Sequence, residues 1–207
     1  MSYDLDAWRK RIAERTDFST QVVHLTRGRR GASLPKVLYE IFSSELIKGS
    51  TSASGFICGN RPAVCFQDSP LVSICQNVYY EQKYRSKNPN AKTRYCAAGL
   101  AFPKPYMFRE GARPVIYDRT SDAKAYLPQE QWWRIVNFDL GNDDSFIDWT
   151  HEREWRIPGD FNFDLSEATL LFVKEETYRT FNKLCLSNGK DYTNLVKGVV
   201  VMENILY

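Results

Sequence analysis

Apolar positions along this chain switch repeatedly between helical and strand spacing. Leu5, Trp8 and Ile12 share one face of an otherwise charged stretch, which predicts an amphipathic helix over residues 4–16. Residues 21–26 form a short apolar run that ends His24-Leu25-Thr26 and is expected as a strand. The basic loop Arg27-Gly28-Arg29-Arg30-Gly31 follows. Ser33 is the expected cap of a second helix, in which Leu34, Val37, Leu38, Ile41 and Phe42 recur at i, i+3, i+4, i+7 and i+8. Lys48-Gly49 is its expected end, and residues 50–59 are a loop of small residues.

Residues 63–66 are expected as a buried strand. Asp68 or Ser69 would cap a helix opening at Pro70 and packing through Leu71, Ile74, Cys75 and Val78. Residues 83–94 carry Lys83, Arg85, Lys87, Lys92 and Arg94 with no acid, interrupted by Asn88-Pro89-Asn90. Such a run is a solvated loop or a strip for a phosphate backbone. Strands are expected at 95–102 and 114–117, around a loop holding Pro103, Lys104, Pro105 and Gly111. Residues 121–137 begin with helical spacing and break at Pro128, and residues 141–148 form an acidic loop. A strand at 168–173, a helix at 175–187 and a strand at 195–202 complete the order. Short strands among helices, without regular βαβ alternation, predict one α+β domain over 1–207, with a mixed or antiparallel sheet flanked by helices.

The stretch 150–158, Thr-His-Glu-Arg-Glu-Trp-Arg-Ile-Pro, stands out within this order. Taken as a strand, it sends Glu152, Glu154 and Arg156 to one face and Arg153, Trp155 and Ile157 to the other. Acids are poor strand formers and like charges this close repel, a local conflict of the kind found at functional sites. An edge strand with a solvated polar face is the alternative.

Composition adds little. Hydrophobic residues at 43% and charged residues at 26% are ordinary for a globular protein, and a net charge of +3 singles out no partner. Five cysteines without a CxxC pair are expected as reduced thiols, mostly buried. No signal-like or membrane-length apolar run is present, which leads to the expectation of a soluble, cytoplasmic protein. The P-loop, Rossmann, HExxH and GxSxG patterns are all missing, and two histidines with scattered cysteines make a zinc site improbable. Cys65 or Cys96 meeting His24 as a nucleophile pair has no local support. Asp68, Asp148, Glu152 and Glu154 show no metal-nuclease spacing, which leaves metal-dependent nucleic-acid processing the weakest reading.

Taken together and in order, Val23-His24-Leu25-Thr26, Val64-Cys65-Phe66-Gln67-Asp68-Ser69-Pro70-Leu71 and Glu152-Arg153-Glu154-Trp155-Arg156 resemble the ADP-ribosyltransferase superfamily over roughly residues 21–160. The chain is particularly similar to DarT-type nucleic-acid ADP-ribosyltransferase toxins and to AbiGi-type abortive-infection proteins. The AbiGi likeness extends to Gly99-Leu100-Ala101-Phe102-Pro103-Lys104 and to Arg113-Pro114-Val115-Ile116-Tyr117.

This resemblance implies an ADP-ribosyltransferase-like core and NAD as substrate. It implies that His24 contacts the adenosine-side ribose with Thr26 and Arg27 beside it, and that Phe66, Ser69 and Tyr117 line the cofactor site. Glu154 would be the catalytic glutamate, with Glu152 nearer the acceptor and the 141–150 loop recognising it. The implied acceptor is a nucleic acid or a protein, with Arg29, Arg30, Lys83, Arg85, Lys87, Lys92 and Arg94 as the nucleic-acid contacts. A cognate toxin or antitoxin is the implied protein partner, and antiviral defence the implied setting. The chain departs from the DarT pattern at Gln67-Asp68-Ser69, where those enzymes carry an arginine; Arg27 or Arg61 would have to replace it. Chemically, a fixed carboxylate beside the ribose would stabilise the oxocarbenium character that develops as nicotinamide leaves. Against these roles stand ordinary ones: His24 as a core histidine, and Glu154 as the buried ion-pair partner of Arg156 or Arg113. A non-catalytic regulator on the same fold is the alternative function.

Overall fold

The computed structural model describes residues 2–90 and 95–203 and shows an α+β fold with mixed sheets. Helix α1 (Leu5–Ala13) starts at Asp4, whose carboxylate accepts from the Ala7 N–H at 2.7 Å. Strand β1 (Gln21–Thr26) and helix α2 (Leu34–Ser44) follow, then the short β2 (Leu46–Ile47) and β3 (Ala63–Phe66). Helix α3 (Leu71–Lys87) leads to β4 (Ala98–Pro103), α4 (Lys104–Arg109), β5 (Arg113–Pro114) and β6 (Ile116–Asp118). Then come α5 (Thr120–Tyr126), β7 (Ile135–Asn137), β8 (Trp155–Pro158) and β9 (Phe161–Asn162). The order closes with β10 (Thr169–Phe172), α6 (Glu175–Ser187) and β11 (Gly198–Val201).

Contacts divide the chain into two compact units, one from Met1–Glu45, Ser69–Pro103 and Phe163–Tyr207, the other from Leu46–Asp68 and Lys104–Asn162. The first is built on the sheet β1-β4-β10-β11, antiparallel except for the parallel β10–β11 pair. Strands β4 and β10 are apolar and buried at nearly every position, as a strand covered on both faces must be. Val23, Ala101 and Leu171 pack with Ile74, Cys75 and Val78 of α3, the face that helical spacing selects. Phe102 packs edge-on against Phe163 at 5.3 Å, while Phe42 of α2, Phe172 and Phe181 of α6 complete an aromatic layer. The second unit contains the antiparallel sheet β3-β8-β5, the β2–β9 pair and the parallel β6–β7 pair.

Four expectations change on folding. Helix α2 stops at Ser44 rather than near Gly49, because the Ser43 and Ser44 hydroxyls donate back to the Glu40 carbonyl and Glu45 turns left-handed (φ 50°). Helix α3 is capped by neither Asp68 nor Ser69 but opens after Pro70, and it extends to Lys87, so Lys83, Arg85 and Lys87 lie on a helix. The expected loop after Pro103 contains α4. Most consequentially, 150–154 is not strand. Asp148 accepts from the Thr150 N–H and hydroxyl at 2.8 and 2.6 Å, Thr150–Glu152 is a 3-10 turn, and Arg153 is left-handed (φ 45°). Glu152 and Glu154 therefore do not share a strand face, and pairing with β3 begins only at Phe66 opposite Trp155.

Gly99 fixes how closely β1 approaches β4. A Cβ there would lie 2.1 Å from the His24 carbonyl oxygen, which is backbone and cannot swing away. Gly99→Ala should lower the unfolding free energy by about 1–3 kcal/mol or more, as overpacking does, with the slope against denaturant unchanged; wild-type stability in a urea melt would contradict this packing.

Candidate functional site

The densest polar arrangement in the second unit surrounds Arg156. This residue sits mid-strand in β8, opposite Cys65 of β3 on one side and Arg113 of β5 on the other. Its side chain is 3% exposed. A guanidinium has five N–H donors and all five are used here. Nε donates to Glu154 Oε1 at 2.7 Å and Nη2 to Glu154 Oε2 at 3.2 Å. Nη1 donates to the Trp133 and Ile135 carbonyls at 2.8 and 3.1 Å, and Nη2 to the Phe56 carbonyl at 3.0 Å. The period of two that put Glu154 and Arg156 on one side thus ends in a forked ion pair.

Glu154 is 7% exposed, and its backbone is equally committed. Its N–H donates to the Tyr117 hydroxyl at 2.8 Å and its carbonyl accepts from the Val115 N–H at 3.0 Å. Burial, joined by the Glu154 and Glu152 charges, pushes the Tyr117 hydroxyl up to about 12, so it stays protonated. Burial and then the Glu154 charge push the Cys65 thiol well above its ordinary range, the opposite of what a thiolate nucleophile needs. For Arg156, burial works to lower its pKa, but the Glu154 charge and hydrogen bonds prevail and raise it.

A second buried pair lies in the same unit: Lys104 Nζ and Asp68 Oδ2 are 2.7 Å apart, and the Asp68 N–H donates to the Glu152 carbonyl at 3.1 Å. Phe66, expected to line the cofactor site, is buried and edge-on to Phe161 at 6.0 Å. Glu152 is partly exposed and acts electrostatically on both Tyr117 and Cys65. The structure therefore brings Glu154, Glu152 and Tyr117 together. The sequence reading missed Lys104 as an ion-pair partner and the carbonyls that receive Arg156; the Glu-x-Arg spacing was the only available signal.

Arg61, the alternative to Arg27, is exposed in the second unit; the remaining predicted cofactor- and nucleic-acid-binding residues belong to the first. His24 is partly exposed on β1 in register with Leu100, Thr26 is buried at the strand end, and Ser69 is buried. Arg27, Arg30, Lys83, Arg85 and Lys87 are exposed, while Arg29 is engaged by Glu40 in an ion pair. Burial raises the pKa of the Cys96 thiol, the Arg27 and Arg85 charges lower it and the Glu81 charge raises it, so two cations and one acid act on the same neighbourhood. Lys92 and Arg94 lie outside the described residues. Among the described residues no group of His, Cys, Asp and Glu could hold a metal ion. No protein-family model, curated protein or solved structure matches the chain.

Removing one member of a buried pair leaves an uncompensated charge. Glu154→Gln should cost about 3–5 kcal/mol of stability. Arg156→Met should cost at least as much, because three carbonyls also lose their donor. In the double variant the Glu154 change should add little, giving a large coupling in a denaturant cycle. Additive losses would contradict the pairing.

Proposed function

We propose that this chain is a non-catalytic member of the ADP-ribosyltransferase-like proteins, acting in the cytoplasm as a regulatory or antitoxin-like binding module of an abortive-infection system. One observation carries the reading: both oxygens of Glu154, the residue that the resemblance makes catalytic, are held by Arg156 in a buried fork. A carboxylate accelerates nicotinamide loss only by gaining interaction as charge develops on the ribose. One already neutralised by a guanidinium, and closed in by backbone, has little left to gain. Gln67-Asp68-Ser69, in place of the arginine of the DarT pattern, supports the same reading. The binding partner is then a nucleic acid or a cognate toxin.

A working NAD-dependent transferase is the second reading, and Glu152 favours it. This carboxylate is partly exposed and shares the neighbourhood of the protonated Tyr117. In that case Glu152 is the acting carboxylate, and Glu154 and Arg156 only hold the strand that follows it.

Thermal melts with and without NAD, paired with a nicotinamide-release assay, separate the two. A ligand that binds only the native state must raise the melting temperature. The expected result is no NAD-dependent shift and no release. A shift, with release that disappears in Glu152→Gln, would overturn the non-catalytic reading.

A further inference from the structure

Helix α3 presents a face that neither the core nor the Glu154 neighbourhood uses. Tyr80, Lys83, Tyr84 and Lys87 recur at i, i+3, i+4 and i+7, a stripe roughly 100° wide on a helix of 3.6 residues per turn. Tyr80 and Tyr84 are 68% and 45% exposed, and their rings are stacked, 14° from parallel with centroids 6.3 Å apart. Lys83 and Lys87 are exposed as well. Glu81 is the one acid of α3 and it is buried, so no carboxylate of the helix offsets these cations at the surface. The two stacked rings thus share one exposed strip of the helix with two cations.

We propose that this face of α3 binds single-stranded nucleic acid, with unpaired bases stacking on Tyr80 and Tyr84 and phosphates meeting Lys83 and Lys87. Charge decides the class of occupant, since a cationic stripe without an exposed acid on its helix suits a polyanion. The aromatic pair decides the form, because base faces are available in a single strand and hidden in a duplex. None of these residues belongs to the Arg156 cage, so the proposal stands or falls separately from the non-catalytic reading.

The test is fluorescence anisotropy of the full chain with labelled twenty-nucleotide oligothymidine, oligouridine and a duplex of equal length, over a range of salt. Both single strands, or one if the sugar is discriminated, should bind more tightly than the duplex. Tyr80→Ser with Tyr84→Ser should weaken single-strand binding by about tenfold or more while leaving the salt slope unchanged. Lys83→Ala with Lys87→Ala should flatten the slope by about 0.7 per lost phosphate contact. All four side chains are exposed, and an unchanged melting temperature verifies that each variant is folded. No binding by the wild-type chain, equal binding of the duplex, or a tyrosine variant that binds normally would overturn the proposal. So would a tyrosine variant that changes only self-association in sedimentation, since the face would then join two copies of the chain.

Discussion

A buried guanidinium with no acceptor to spare is the constraint on which the second unit depends. Arg156 needs five acceptors, and they come from four residues in three stretches of the chain: Phe56, Trp133 with Ile135, and the two oxygens of Glu154. No two of these sources except Trp133 and Ile135 are close in sequence, so the side chain ties the loop before β3, the 3-10 turn Gln129–Arg134 with the start of β7, and the residue before β8 to one point. Its energetic value lies less in net stabilisation, since desolvating two charges offsets most of the attraction, than in what happens when any acceptor is withdrawn. A register slip of β8 by one residue would send Arg156 to the other face and strand all five donors. The pair therefore specifies the register of the β3-β8-β5 sheet.

That role is in tension with catalysis by the same carboxylate. Glu154 sits among groups tuned toward neutrality or full pairing: a Tyr117 hydroxyl that stays protonated, a Cys65 thiol held protonated by burial, and a guanidinium with every donor used. The exposed cations of the first unit include Arg27 and, on the helix that carries the stacked Tyr80 and Tyr84, Lys83, Arg85 and Lys87. The proposed non-catalytic binding module is consistent with both halves of this distribution.

Much of the architecture was legible in the residues. Strands 21–26 and 63–66, helix 175–187 and the core face of α3 follow directly from apolar spacing, because burial on one or both faces imposes that spacing. Helix α4 was hidden by its own composition: Pro103 and Pro105 flag a turn, but a proline in the first turn of a helix loses no hydrogen bond. The stretch 150–154 misled for a different reason. Alternating charge mimics a strand, while the Asp148 carboxylate and the left-handed Arg153 wind the backbone into a turn, a local hydrogen-bond competition that periodicity does not register. The pairing of Glu154 with Arg156 was one of the stated alternatives, yet nothing in the sequence marks the carbonyls of Phe56, Trp133 and Ile135 as its other acceptors.

The closed state of this cage can be observed directly through exchange of the Arg156 Nε proton in nitrogen-resolved NMR. An N–H bonded to Glu154 at 2.7 Å and shut away from water exchanges only when the surrounding structure opens. The account predicts a single resolved Arg156 Nε–H resonance, protected far beyond those of the surface arginines, whose protection disappears in Glu154→Gln. Exchange at the surface-arginine rate in the wild-type chain would show Glu154 free to act on a substrate and would contradict the account.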